Sequence, residues 1–176
     1  MTTPFRGAPV AAQTLDDTAR LREIADLRLN DSDVDEIFSE ITGEAAAYFG
    51  LPVALVSIVL DQAQYFLGSH GLDGWMATTL GTPAEWSFCQ HVVRNRAPFV
   101  VDDAQNHPLM QDSPLVRMEG IRCYAGVPLV TSTGHVIGSF CVQGPEARSF
   151  TEGDLAQLHR YAEQAMTRIE QRRRAG

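Results

Sequence analysis

Lysine is absent from this chain: all 14 of its cationic side chains are arginine. Schiff-base and lysine general-base chemistry are therefore excluded. Cations are also outnumbered, by 22 acidic residues, giving a formal net charge of -8. That balance offers no electrostatic footprint for nucleic acid or an anionic membrane, so neither is expected as a partner. Cysteine is scarce as well. Cys89, Cys123 and Cys141 are odd in number and widely spaced. This excludes a disulfide framework and points to a reducing, cytoplasmic setting. No apolar run is long enough to cross a bilayer, and residues 1–13 lack the regions of a secretory signal. Glycine-rich phosphate loops and nucleophile elbows are missing too. The histidines His70, His91, His107, His135 and His159 fall without ligand spacing, so no metal is expected, and the cofactor, if any, is unknown.

What remains is an ordinary composition, 44% hydrophobic and 20% charged over 176 residues, which suits one globular domain. Residues 1–13 are small, aperiodic and contain Pro and Gly. They read as a disordered tail, and 14–174 as the domain. Leu15, Leu21, Ile24 and Leu27 suggest a helix over 14–29. Val34, Ile37, Phe38, Ile41, Ala45, Tyr48 and Phe49 repeat at helical spacing, with a Ser32 and Asp35 capping box before them and Gly50 and Pro52 after. Residues 53–60 are a near-continuous Val/Ile run, read as a central strand covered on both faces, with 64–69 as the next strand. Residues 71–81, with Trp75 and Met76, read as a lid or pocket wall without regular structure.

Two capping boxes compete to start the next helix, Thr82-Pro83-Ala84-Glu85 and Ser87-Phe88-Cys89-Gln90. A short strand at 99–101 follows, then a mostly irregular 102–117 with one helical turn after Ser113-Pro114. Residues 121–130 and 135–143 form a hairpin. Thr151 and Asp154 box the last helix, and Phe150 staples onto Leu155. Its stripe Leu155, Leu158, Ala162, Ala165 and Ile169 has the spacing of a seam for a partner helix, and equally of a helix laid on the domain's own sheet. The expected fold is α+β: a central antiparallel β-sheet with terminal helices packed on one face.

Side chains alternate across a strand, so each strand divides into two faces. Ile121, Cys123, Ala125, Val127 and Leu129 oppose Arg122, Tyr124, Gly126 and Pro128. Val136, Gly138, Phe140 and Val142 oppose Ile137, Ser139, Cys141 and Gln143. The apolar faces should take the terminal helices. The faces bearing Arg122, Tyr124, Ser139 and Cys141 then look toward segment 71–117, and with Trp86 they would wall a small-molecule site. Arg122 and Tyr124 on a half-buried face need hydrogen-bond partners, either a ligand or Asp102 and Asp103. Cys123 and Cys141 point to opposite faces, which forbids a bond between them. Cys89, in the first turn of a helix begun at Ser87, sits where the positive dipole end lowers a thiol pKa. It is the candidate reactive residue, with a packed core cysteine as the other reading.

Five stretches carry a family resemblance: residues 51–59 with Tyr65-Phe66, Ser87-Phe88-Cys89-Gln90-His91, residues 97–104 ending Asp102-Asp103-Ala104, residues 121–129, and Gly138-Ser139-Phe140-Cys141-Val142 leading to Phe150-Thr151. In order and spacing they resemble the GAF family of small-molecule-sensing domains, over about residues 32–169. The resemblance implies a profilin-like sheet, terminal helices that often dimerise, and a ligand pocket on the opposite face. It also marks departures. Members that bind cyclic nucleotides carry Asn-Lys…Phe…Asp-Glu after the last strand, where this chain has Gln143-Gly144…Phe150…Asp154-Leu155. Members that reduce free methionine sulfoxide place a catalytic Cys where this chain has the neighbourhood of Arg117, although Cys89 resembles another of their cysteines.

Two functions follow as expectations. One is a sensor in bacterial signalling, binding a small ligand through Trp86, Cys89, Asp102, Asp103, Arg122, Tyr124, Ser139 and Cys141. It would act through homodimerisation by its terminal helices or through a signalling partner, either as a stand-alone domain or as part of a longer protein. The alternative is a thiol-based oxidoreductase or oxidant sensor using Cys89, for which only Cys141 is placed to approach as a second thiol.

Overall fold

The computed structural model describes residues 13–29 and 36–175. The Ser32 and Asp35 box and nearly all of the expected tail lie outside the described residues. Helix α1 (Thr18–Asp26) is shorter than the apolar pattern suggests, because the Asp17 carboxylate accepts from the Arg20 amide at 2.8 Å and caps it there. Helix α2 (Glu36–Phe49) ends as its sequence requires. Gly50 takes φ of 63°, and amides of Gly50 and Leu51 bond back to the carbonyls of Ala47 and Ala46. That paired closure satisfies the last carbonyls and favours glycine at the left-handed position.

Six strands follow: β1 (Val53–Val59), β2 (Ala63–His70), β3 (Gly81–Pro83), β4 (Phe99–Val101), β5 (Cys123–Val130) and β6 (Val136–Gly144). They form one sheet in the order β3-β2-β1-β6-β5-β4, with every neighbouring pair antiparallel. Between β2 and β5 lie three short helices, α3 (Gly74–Thr79), α4 (Cys89–Asn95) and α5 (Pro114–Arg117), and the final helix is α6 (Glu152–Ala175). Segment 71–81 is thus not irregular. It holds α3 and β3, elements too short for hydrophobic periodicity to reveal. Of the two competing boxes, Thr82 joins β3, while the Ser87 hydroxyl accepts from the Gln90 amide at 3.1 Å and α4 opens at Cys89. At α6 the Thr151 and Asp154 box closes reciprocally, at 2.9 and 3.1 Å.

The sheet separates two hydrophobic clusters. On one face α2 and α6 cover Ala54, Val56, Ile58, Ala125, Val127, Leu129, Phe140 and Val142. The α6 stripe is consumed there: Leu158, Ala165 and Ile169 are fully buried within this one chain. Ala165 and Ile169 complete the domain's own core, so of the two readings of that spacing the helix laid on the sheet is the one these positions follow. On the other face lie Leu55, Phe66, Met76, Phe88, Cys89, Val92, Val93, Leu115, Ile121, Tyr124 and Cys141.

Two face assignments are corrected. Ile121 precedes β5 and folds into the second cluster, its amide bonded to the Leu115 carbonyl. The register shifts between Leu129 and Val130, which pairs Val130 with Val136 and leaves Ile137 unopposed. At that bulge Ile137 turns to the helix side and Val136 to the other, reversing the alternation.

Candidate functional site

The second face is built over a row of polar side chains that crosses the sheet. Thr82, Gln64, Ser57 and Ser139 come from β3, β2, β1 and β6, and all are buried. Ser57 donates to Gln64 Oε1 at 2.7 Å, and Gln64 Nε2 donates to Thr82 Oγ1 at 2.8 Å. Ser57 and Ser139 are directly opposite each other in the β1–β6 ladder. The Tyr124 hydroxyl continues the row, 3.0 Å from Ser139 Oγ and 3.2 Å from Cys89 Sγ. Cys89 Sγ in turn lies 3.9 Å from Cys141 Sγ. Buried polar groups are tolerated because they are bonded to one another in this way.

Local sequence explains how Tyr124 reaches so far. A Cβ on Gly126 would come within 2.2 Å of the Tyr124 hydroxyl and 2.6 Å of Ser139 Oγ, so the glycine leaves the space through which the ring leans along its strand. Phe88 stacks on that ring at 4.8 Å. Cys89 is the first residue of α4 as expected, but a different cause sets its acidity. The hydrogen bond between the Cys89 and Cys141 thiols is the main influence, opposed by burial and reinforced by Tyr124, Ser57 and Ser139, and together they bring the Cys89 thiol down to about 7. Burial pushes Tyr124 and Cys141 the other way, well above their ordinary values, helped by the developing charge on Cys89.

A cavity of about 10 Å³ remains beside this row, lined by Gln64, Thr82, Phe88, Cys89, Tyr124 and Gln143 among others. Room for about one water is all that such a volume gives. Met76 of α3, Ile121 and Gln143 line both this cavity and an outer groove of 240 Å³ that also reaches Asp73 and Glu119. They are the partition between the two. Trp75 Nε1 donates to Glu119 Oε1 at 2.6 Å and latches α3 to the loop before Ile121.

Four of the eight expected site residues therefore converge: Cys89, Tyr124, Ser139 and Cys141. The other four stand apart. Arg122 precedes β5 and makes a two-point contact with Asp103, at 2.8 and 3.2 Å, on the half-exposed rim. That pairing holds the Asp103 carboxyl below its usual range. Asp102 is exposed, and its carbonyl accepts from the Arg148 amide. Trp86 meets Trp75 edge-on at 6.2 Å and does not line the cavity. Gln64, Thr82 and Ser57 were missed by sequence reasoning, whereas Met76 lies in the segment read as a lid or pocket wall and does line the cavity. The alternation of Gln64 with Phe66 and a lone serine in the apolar run of β1 were signals for the first and third of these. Among the described residues no cluster of His, Cys, Asp or Glu is arranged to hold a metal ion.

With this six-stranded antiparallel sheet, helices on one face and a roofed polar row on the other, the chain belongs to the GAF domain family, whose model matches residues 33–169. Over 156 residues it is 39% identical to a cyclic di-GMP phosphodiesterase of Pseudomonas aeruginosa. That match covers 88% of this chain and 26% of the relative, so the chain spans about a quarter of that protein's length. Among solved structures, it is similar to the GAF domain of a phosphoenolpyruvate-protein phosphotransferase from Acinetobacter, with a TM-score of 0.65 and 16% identity over 87% of this chain and 92% of that one. It is also similar to a free methionine-R-sulfoxide reductase of Neisseria meningitidis, solved with its substrate, with a TM-score of 0.65 and 19% identity over 86% and 87% of the two chains. At such identities the likeness is one of fold.

Proposed function

We propose that this domain senses a small molecule that enters between the sheet and the α3 to α5 segment. Cys89, Tyr124, Ser139 and Cys141 form the floor of the site, and Gln64, Thr82 and Gln143 offer polar contacts. Trp86, Arg122, Asp103 and Asp102, which line neither space, would meet the ligand only at its outer end. The observation that carries the reading is the buried polar row beside a cavity that Met76 and Ile121, with Gln143 on the common wall, separate from the 240 Å³ groove. Moving those two side chains joins both spaces into a volume near the ~300 Å³ at which ligand pockets begin. The ligand is therefore compact and largely apolar, with one or two hydrogen-bonding groups.

The activity of the Pseudomonas relative suggests the output: regulation of an enzyme of cyclic dinucleotide turnover, in the same polypeptide or as a partner protein. Free buried cysteines suit a cytoplasmic setting. Homodimerisation through the terminal helices would use their outward faces, where Tyr48 is 59% exposed, since the inward stripe is occupied.

Thermal-shift screening against metabolites and nucleotides tests the reading. A ligand at 100 times its dissociation constant adds ~2.7 kcal/mol of stability, worth about 5–10 °C in a domain of this size. The shift should be lost in Gln64→Met with Thr82→Val, which keeps volume and removes the polar contacts. A panel without a binder, or a binder that shifts the variant equally, defeats the proposal. The same floor supports a second reading, a thiol function of Cys89, on the proximity of its sulfur to Cys141.

A further inference from the structure

We propose that Cys89 and Cys141 are a peroxide-responsive dithiol, in which Cys89 takes the oxidising equivalent from a small hydroperoxide and Cys141 resolves it as an intramolecular disulfide. The inference rests on the thiol reading of Cys89 and adds the role of Cys141, the oxidant class and the end product.

Three geometric facts carry it. The two sulfurs are 3.9 Å apart, on separate elements that pack face to face, so a bond at ~2.0 Å requires a closure of about 2 Å and no refolding. Cys123 faces away from both, next to Gly144, and is out of competition. The third fact is access. Both cysteines are buried, at 3% and 0% exposure, and the cavity that Cys89 lines holds about a single water-sized molecule. Such a site admits an oxidant scarcely larger than water and turns away bulky disulfides. Its Cys89 wall also carries the donor that the chemistry needs, the Tyr124 hydroxyl at 3.2 Å.

The steps balance. The Cys89 thiol gives up its proton as its sulfur attacks one peroxide oxygen; an S–O bond forms as the O–O bond breaks, and that proton, relayed by the Tyr124 hydroxyl, joins the departing hydroxide as water. Cys89 is now a sulfenic acid, oxidised by two electrons. The Cys141 sulfur attacks the Cys89 sulfur, the S–S bond forms as the S–O bond breaks, and the hydroxyl leaves as a second water with the Cys141 proton. One hydroperoxide is reduced and two thiols become one disulfide. Burial holds the Cys141 thiol protonated, which suits a resolving group that waits until Cys89 has been oxidised.

The test uses the full chain, reduced, freed of reductant, exposed to hydrogen peroxide, then unfolded in an alkylating reagent and weighed. The wild type should lose two of its three alkylatable thiols, with a deficit of about 2 Da for the two hydrogens. Chymotrypsin cuts after Tyr124 and Phe140, which separates Cys123 from Cys141 and places the bond without any mutation. Cys123→Ala should behave as wild type, and Cys141→Ala should stop with Cys89 carrying about 16 Da of added oxygen. Glutathione disulfide should act far more slowly than peroxide.

Each contrary result strikes a different part. A Cys89 unmodified when a small-molecule thiol is oxidised removes the thiol reading altogether. Oxygenated Cys89 without a disulfide keeps a reactive thiol but overturns the role of Cys141, as does a mapped bond to Cys123. Equal rates with peroxide and glutathione disulfide overturn the cavity route.

Discussion

Tyr124 is fully buried, stacked on Phe88, and still has both Ser139 and Cys89 within hydrogen-bonding distance of its hydroxyl. Replacing it with Phe keeps the ring and removes those bonds, at a cost of about 1 kcal/mol. Cys89 should then titrate higher, because one of the groups that favours its thiolate is gone. The same shift makes a pH prediction. A folded-state thiol at about 7 lies below the ~8.5 of an unfolded cysteine. Its contribution to stability is therefore present above the unfolded value and is lost as pH falls through about 7. Cys141 and Tyr124, both raised, oppose this at higher pH, so stability should rise from near neutrality and then turn over. Urea denaturation across that range measures it. A profile identical in wild type and Cys89→Ala would sink the assignment.

Helix α6 gives the prediction at the scale of an element. Its stripe is fully committed to the sheet, with Ile169 at 0% exposure. Truncation to Ala there should cost 2–5 kcal/mol, typical of core aliphatics. Ala165→Glu with Ile169→Glu would bury two carboxylates with no partner in the first cluster. The expected outcome is loss of the folded state, read by circular dichroism. A folded, soluble double mutant would mean that the stripe is not core. Spacing alone could not make this distinction, since a short heptad run serves a partner helix and a sheet equally well.

Across the whole molecule, the ends of the described chain are tied to each other and to the sheet. Glu23 of α1 accepts from Thr133 Oγ1 in the β5–β6 turn at 2.9 Å and pairs with Arg173 near the end of α6. Burial alone would raise the Glu23 carboxyl, but the bonds from Arg173 and Thr133 outweigh it and hold it low. Arg20 of α1 is fully buried and donates to the carbonyls of Val59 and Leu15, each at 2.6 Å. The amide of Gln13 bonds the Arg94 carbonyl at the end of α4. A change at α4 thus has a physical route to α1 and α6. Arg173→Ala should free α1 first, seen as faster hydrogen exchange over Thr18–Asp26 with the β1–β6 amides unchanged. Because the Glu23 carboxyl is depressed, its stabilisation is present above the ordinary carboxylate range and disappears as pH falls through its folded value. Acid should therefore produce the same local release in wild type. Uniform exchange changes across the sheet would show that the tie is not local.

The sequence by itself determined the family, the two long covering helices, the β5–β6 hairpin, the face on which polar groups gather, and the separation of Cys123 from Cys141. The family was legible as a resemblance of whole stretches; the others follow from periodicity, capping chemistry and strand alternation, all of which act within a few residues. Only the tertiary structure decided that Arg122 pairs with Asp103 at the rim while Tyr124, two residues on, points into the floor. It also decided that Ser57, Gln64 and Thr82 align across three strands, that Ile137 and Val136 exchange faces at a bulge, and that Met76 divides the cavity from the groove. Each of these depends on register between strands distant in sequence or on a helix of one or two turns, and no local pattern encodes either. The 3.9 Å between Cys89 and Cys141 belongs with them: alternation left Cys141 as the thiol able to approach, but the distance was set by how closely α4 packs on β6.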